Sequence, residues 1–239
     1  MAETNVAGTL YGVGVGPGDP ELLTLKALRL IRAASLIAYP APDTGPSFAR
    51  QIVAEFVPEG TREYAITIPM KTDRFPVQSI YDDAARTLGA ALDAGDSVVV
   101  LCEGDPFFYG SFMYLHSRMV AQHPCVVVPG VSSIMAGGAT ASTPLASLSE
   151  TFAVAPAPLP RDRLVALLAS HDNVVFMKVG RHLEKVRGVI AEVGLTAHAT
   201  YMERLGTAQQ ACLPLAELGD VTAPYFSLIQ VNRRRSEPV

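Results

Sequence analysis

Three short segments carry the residues best suited to hold a small molecule. They are G-V-G-V-G-P-G-D-P at residues 12–20, E-G-D-P-F-F-Y-G-S at 103–111 and V-P-G-V-S-S at 128–133. Glu103 and Asp105 supply carboxylate acceptors, Ser132 and Ser133 supply hydroxyls, and the glycines let backbone approach a ligand closely. Phosphate is a poor guest for such loops. A dinucleotide fingerprint needs G-x-G-x-x-G, but counted from Gly12 its last glycine falls on Pro17, and counted from Gly14 on Asp19. A Walker loop needs Gly-Lys-Ser/Thr, and the first lysine is Lys26. Pro17 also removes a backbone donor, and Asp19 adds negative charge where a phosphate would sit. Taken alone, the first segment fits a plain strand-to-helix turn as well as a ligand loop. Cys102 ends an apolar run without a histidine beside it, and reads as a core residue rather than a nucleophile.

The segments need elements to position them. Residues 10–15 read as a strand, followed by a helix that Asp19 caps and Pro20 opens, with Leu22, Leu25, Leu28 and Ile31 on one face. Strands at 36–39, 97–101 and 125–128 alternate with helices near 47–56, 77–94 and 109–121, and Ser132 and Ser133 can cap a further Ala/Gly-rich helix. This βα series predicts a doubly wound parallel sheet, whose ligands sit at the carboxyl ends of the strands. Strands at 152–155, 174–179, 199–203, 209–213 and 226–231, with helices at 161–169 and 182–193, predict a second α/β layer around a mixed sheet. The proline-rich 155–160 reads as a loop. The expected domains are 1–130 and 131–239.

Composition narrows the partners. The 239 residues carry a net charge of −4, so no global basic field exists to hold a nucleic-acid backbone, and Arg233-Arg234-Arg235 reads as a solvated tail. Five histidines without an H-E-x-x-H arrangement favour metal-free chemistry. The three cysteines, Cys102, Cys125 and Cys212, are odd in number and far apart; they suggest neither disulfides nor zinc and are expected to be small core residues. No stretch is apolar for the length of a membrane span, and the opening M-A-E-T-N-V-A-G lacks the features of a secretory signal, so a cytoplasmic location is expected.

The three segments, in this order and spacing, resemble those of the tetrapyrrole methylase family, and V-V-F-M-K-V-G-R and E-R-L-G-T-A-Q-Q further along fit it too. The resemblance covers nearly the whole chain. Within the family, I-P-M-K-T-D-R, P-S-F-A-R-Q-I-V and M-K-V-G-R look most like the precorrin-2 C-20 methyltransferases. The resemblance implies a homodimer of two-domain α/β subunits with S-adenosyl-L-methionine in the cleft between the domains. It further implies methylation of carbon 20 of precorrin-2, giving precorrin-3A in cobalamin synthesis. A cobalt-containing substrate, or a tetrapyrrole-binding protein without catalysis, is the alternative.

Residue by residue, the resemblance places Pro17 beside the substrate. Glu103, Gly104 and Asp105 match the family's Gly-Gly-Asp cofactor segment, with Glu103 departing from glycine. Phe108 matches an apolar cofactor contact, and Ser132 and Ser133 match a Thr-Ala pair near the methionine portion. Val179 and Gly206 fall where the second domain packs adenine, and Tyr225 aligns loosely with a further contact. Phe108 and Val179 can wall the site, the serines can bond the head group, and Glu103 or Asp105 can accept from ribose or ammonium. For Asp105, a turn bonding its own loop is an equal reading. The substrate's acetate and propionate groups call for cations; Arg50, Lys71, Arg74, Lys178 and Arg181 could supply them, with Arg50 and Lys178 the first choices. No residue is identified as the base: Glu103, Asp105, Tyr109 and His182 all have structural or binding readings. No metal is expected.

Overall fold

The structure is a computed structural model that describes residues 8–69 and 77–233. Lys71 and Arg74, with most of I-P-M-K-T-D-R, and Arg234 and Arg235 lie outside the described residues. The chain divides into two units, the first running to Ser132 and the second beginning at Ser133.

The first unit is built on five parallel strands: β1 (Leu10–Gly14), β2 (Leu36–Pro42), β3 (Arg62–Ile68), β4 (Val98–Cys102) and β5 (Cys125–Val128), in the spatial order β3-β2-β4-β1-β5. Every side chain of the central β4 is buried, as a strand covered on both faces requires. Alternate residues of β4 enter two different cores. Val98, Val100 and Cys102 pack under α3 (Val77–Asp93) and α4 (Phe112–Met119) through Tyr81, Leu88, Phe112 and Leu115. Val99 and Leu101 pack under α1 (Leu25–Ala33) and α2 (Phe48–Ile52) through Ala27, Ile31, Ala49 and Ile52. The unit is thus the expected doubly wound sheet.

In the second unit α5 (Ser133–Thr140) precedes β6 (Phe152–Pro156), α6 (Arg161–Ser170), β7 (Asn173–Met177), α7 (Leu183–Glu192), β8 (Ala199–Glu203), β9 (Ala211–Pro214) and β10 (Ser227–Asn232). The sheet order is β6-β7-β10-β8-β9, parallel only between β6 and β7, so it is mixed. Phe176, Tyr201, Ile229 and Val231 face α6 and α7, while Val175, Met202 and Leu228 face Ile134 of α5.

Several boundaries differ from expectation. Asp19 accepts from the Glu21 amide at 2.8 Å and caps only a 3-10 turn, Pro20–Leu22; Thr24, accepting from the Ala27 amide at 3.1 Å, starts α1. The buried face of α1 therefore runs through Ala27 and Ile31, and Leu25, expected on it, is 87% exposed. The helix near 47–56 is α2 plus a 3-10 turn, Ala54–Phe56. Tyr109 has a φ of 55°, which no helix accommodates, so α4 starts only at Phe112. Strand β3 lies outside the expected strands, because a sheet-edge strand with one buried residue, Ile66, carries a weak apolar signal. Strand β6 takes in Pro156, expected in a loop, and β7 stops at Met177 because Lys178 has a φ of 57°. Of the cysteines only Cys102 is a core residue; Cys125 is half-buried and Cys212, on β9, is exposed.

Candidate functional site

At the carboxyl end of the parallel sheet, the segments after β1, β4 and β5 are tied together by backbone. The Val15 amide donates to the Cys102 carbonyl at 2.9 Å, and the Gly104 amide donates to the Gly16 carbonyl at 2.8 Å. Asp105 supplies the third tie. Its Oδ1 accepts from the Phe107 amide at 2.9 Å, and its Oδ2 accepts from the Gly130 amide at 3.1 Å. One carboxylate thus shapes its own turn and pins it to the segment after β5. The glycines are there because main chain crosses main chain: a Cβ on Gly130 would stand 2.1 Å from the Gly104 carbonyl oxygen and 2.8 Å from the Gly14 Cα. Gly104 itself has a φ of 64°, and its missing Cβ would lie 3.7 Å from the Ser132 Cα.

This junction brings Glu103, Gly104, Asp105 and Ser132 together, with Pro17 next to the bridging Gly16 and Phe108 three residues beyond Asp105; Ser133, the next residue in the chain, opens the second unit. Pro17 is buried, Phe108 is 38% exposed, and Glu103, Ser132 and Ser133 are half-buried. Ser133 is the first residue of α5, so Ser132 and Ser133 sit where strand hands over to helix. Burial pushes the Cys102 thiol well above its ordinary pKa, and the charges of Glu103 and Asp105 push the same way, which suits a core residue and not a nucleophile.

In the second unit, the segments after β7 and β8 and before β10 are joined in the same fashion. Ser227 takes the Val179 amide on its carbonyl at 3.2 Å and the Gly180 amide on its Oγ at 3.1 Å, while that hydroxyl donates to the Pro224 carbonyl at 2.6 Å. The Arg204 amide donates to the Phe226 carbonyl at 3.0 Å. Lys178, Val179 and Tyr225 are thereby gathered, and the Lys178 Nζ lies 5.9 Å from the Tyr225 ring centroid, within cation–π range. Gly206, with a φ of 76°, follows Arg204 by two residues, and its amide donates to Gln210 Oε1 at 2.8 Å. The side chain of Val179 is fully buried in the core with α6 and α7, so it is the backbone of this residue, not its side chain, that can border a ligand.

Arg50 takes no part in the ties described for these loops. Its guanidinium forks onto Glu63 of edge strand β3, with Nε and Nη2 donating at 2.8 and 2.9 Å. That bond holds the Glu63 carboxyl below its ordinary pKa. Arg181, exposed at the turn after β7, donates to His182 Nε2 at 3.5 Å. His182 has its pKa lowered, by burial first and then by the charges of Lys185 and Arg181. Among the described residues no group of three or more His, Cys, Asp or Glu is disposed to hold a metal ion, and no helix is long and apolar enough to cross a membrane.

A further network escaped sequence reasoning. Buried Tyr201 donates to Glu203 Oε2 at 2.5 Å, and Arg204 Nη1 donates to Glu203 Oε1 at 2.9 Å. The run Y-M-E-R holds a signal for this in hindsight, since residues two apart on a strand share a face.

The sequence profile of the tetrapyrrole (corrin/porphyrin) methylases matches residues 9–219. The cobalamin biosynthesis protein CobIJ of Mycobacterium tuberculosis strain H37Rv is 40% identical over 96% of this chain, which spans only 47% of that relative's length. The precorrin-2 C(20)-methyltransferase of Sinorhizobium sp is 37% identical, with 97% of this chain and 98% of the relative covered. The cobalt-precorrin-2 C(20)-methyltransferase of Salmonella typhimurium is 30% identical over 95% of this chain and 97% of the relative. The crystal structure of uroporphyrin-III C-methyl transferase from Thermus thermophilus, complexed with S-adenyl homocysteine, shares the fold. It has a TM-score of 0.67 at 23% identity and covers 94% of this chain and 97% of that one. A profile that matches residues 9–219, and relatives matched nearly from end to end, establish that this chain belongs to the tetrapyrrole (corrin/porphyrin) methylase family.

Proposed function

We propose that this protein transfers a methyl group from S-adenosyl-L-methionine to carbon 20 of precorrin-2, giving precorrin-3A in cobalamin biosynthesis. The observation that carries the reading is the end-to-end similarity, at 37% identity, to the Sinorhizobium precorrin-2 C(20)-methyltransferase. The residues present fit such a donor. Hydroxyls at Ser132 and Ser133, a part-exposed ring at Phe108 and close main chain at Gly104 make the mixture of polar, apolar and backbone groups that an amino acid joined to a nucleoside requires.

The bound donor supplies an electrophilic methyl on a sulfonium, and the protein's task is largely alignment of that methyl with the attacking carbon. In this reading Glu103, Gly104, Ser132 and Ser133 bind the amino-acid and ribose parts, with Phe108 as an apolar wall. Asp105 positions them by locking its turn to Gly130. Val179 and Gly206 border the adenine through their backbone, and Tyr225 adds a ring. Pro17 and Lys178 serve the substrate, Lys178 as a cation for its carboxylates. Arg50 is already forked onto Glu63, so the reading does not rely on it. No proton acceptor is assigned. The reading places the protein in the cytoplasm as a homodimer without a resident metal or nucleic-acid partner; sedimentation of the purified protein checks the dimer.

The Salmonella relative favours a second substrate, the cobalt-containing macrocycle. Purified protein given the donor and either macrocycle separates the cases: mass spectrometry is expected to show one added methyl on the metal-free compound, faster than on the cobalt form. The reverse preference transfers the proposal to the cobalt substrate. Tetrapyrrole binding without any product overturns the enzymatic reading.

A further inference from the structure

Beyond β4 and Asp105 the chain presents three consecutive exposed aromatic residues, Phe107, Phe108 and Tyr109. Tyr109 is 41% exposed and has a φ of 55°. Left-handed backbone crowds the Cβ of a bulky side chain, and glycine or asparagine ordinarily fills such positions. The neighbouring residue shows the loop using glycine where the fold demands it: a Cβ on Gly110 would stand 2.6 Å from the Pro106 carbonyl oxygen. At Tyr109 the backbone prefers glycine, and a large aromatic stands there instead. Burial accounts for only part of it, since the residue keeps 41% of its surface in water. The conformation does have a geometric result. It sets the Tyr109 ring edge-on to Phe108, with centroids 5.1 Å apart and planes at 86°, in the loop that Asp105 ties to Gly130 at the carboxyl edge of the sheet. Unfavourable backbone of this kind persists where a side chain is needed for function.

We propose that Tyr109 is a substrate-contact residue, its ring packing against the flat, conjugated face of the tetrapyrrole and orienting it toward the methyl donor. The inference rests on the proposed methyltransferase reading. A rigid aromatic side chain held open to solvent is well matched to a broad planar ligand, because little rotamer freedom is lost on contact. The Tyr109 hydroxyl has no required part.

The test compares Tyr109→Phe, Tyr109→Gly and Tyr109→Asn with the wild-type enzyme, measuring precorrin-2 KM, the Kd for S-adenosylhomocysteine and Tm. Tyr109→Phe is expected to keep KM within about twofold of wild type. Tyr109→Gly and Tyr109→Asn are expected to raise KM about tenfold or more, the scale on which aromatic stacking on a flat heterocycle contributes. Both should lose far less affinity for S-adenosylhomocysteine than for substrate, the contact with Phe108 being shared, and Tyr109→Asn, which tolerates left-handed backbone, should change Tm little. An unchanged KM overturns the proposal. So does an equal loss of S-adenosylhomocysteine affinity, which marks a tyrosine that only supports its loop. Should Tyr109→Gly fail to fold, the Asn and Phe variants carry the same comparison. Absence of turnover in the wild type on either macrocycle is the failure of the enzymatic reading instead.

Discussion

At the scale of single residues, Asp105 shows how one carboxylate can shape its own turn and pin it to another loop. Both of its oxygens accept backbone amides, from Phe107 and Gly130. Hydrogen bonds to a charged acceptor are each worth about 1.5–3 kcal/mol, less where water competes. Asp105→Ala should therefore lower stability by about 2 kcal/mol in urea denaturation and weaken S-adenosylhomocysteine binding, with Asp105→Asn intermediate because one carbonyl acceptor survives. Tyr201 makes a prediction in pH. Burial first, and then its bond to Glu203, raise the phenol's pKa above the ordinary value. A group raised on folding contributes stability that is full below the unfolded tyrosine pKa of about 10 and is lost as pH rises through the folded value. The wild type should lose stability above about pH 10, and Tyr201→Phe should flatten that alkaline decline when urea midpoints are measured across the range. Arg50 and Glu63 form a part-exposed, forked pair, whose contribution to stability is expected to be on the order of 1 kcal/mol.

At the scale of elements, the site depends on how closely strand ends cross. The β1, β4 and β5 exits approach within main-chain contact, and Gly130 is where they meet. Gly130→Ala drives a methyl into the Gly104 carbonyl, which sits on backbone and cannot swing aside. A loss of at least about 2 kcal/mol is expected, by analogy with overpacked cores. Gly219, where an added Cβ meets nothing within 4 Å, is the control; Gly219→Ala should stay within about 0.5 kcal/mol. The helices are likewise placed by their caps. Thr24 and not Asp19 starts α1, which rotates the buried stripe onto Ala27 and Ile31 and leaves Leu25 in solvent. The leucine periodicity suggested otherwise because Leu22 and Leu25 belong to different segments of chain.

At the scale of the whole molecule, the family profile spans both units, while the chain spans about half the length of the CobIJ relative it matches. Specific binding of S-adenosylhomocysteine to the folded protein alone should raise its apparent stability by about 2.7 kcal/mol at a free concentration a hundredfold above Kd; a thermal scan against ligand concentration measures it, and a flat response would remove the support for a methyl donor. The order of apolar runs and helical patterns already determined the doubly wound sheet and the mixed one, because burial on both faces of β4 leaves an unbroken apolar run, and helices betray themselves by spacing. The letters of E-G-D-P and V-P-G-V-S-S likewise singled out the loops. What the sequence could not decide was the use of each group. That Asp105 bonds the Phe107 and Gly130 amides, that the Val179 side chain is buried, that Arg50 forks onto Glu63, and that Tyr109 sits in left-handed backbone all depend on contacts between residues remote in the chain or on local φ. Edge strand β3 was illegible for a related reason: its pairing with β2 lies in backbone hydrogen bonds, which no side-chain pattern records. Tertiary structure decides these points because a hydrogen bond is satisfied by position in space, and only the folded chain sets which donor arrives at which acceptor.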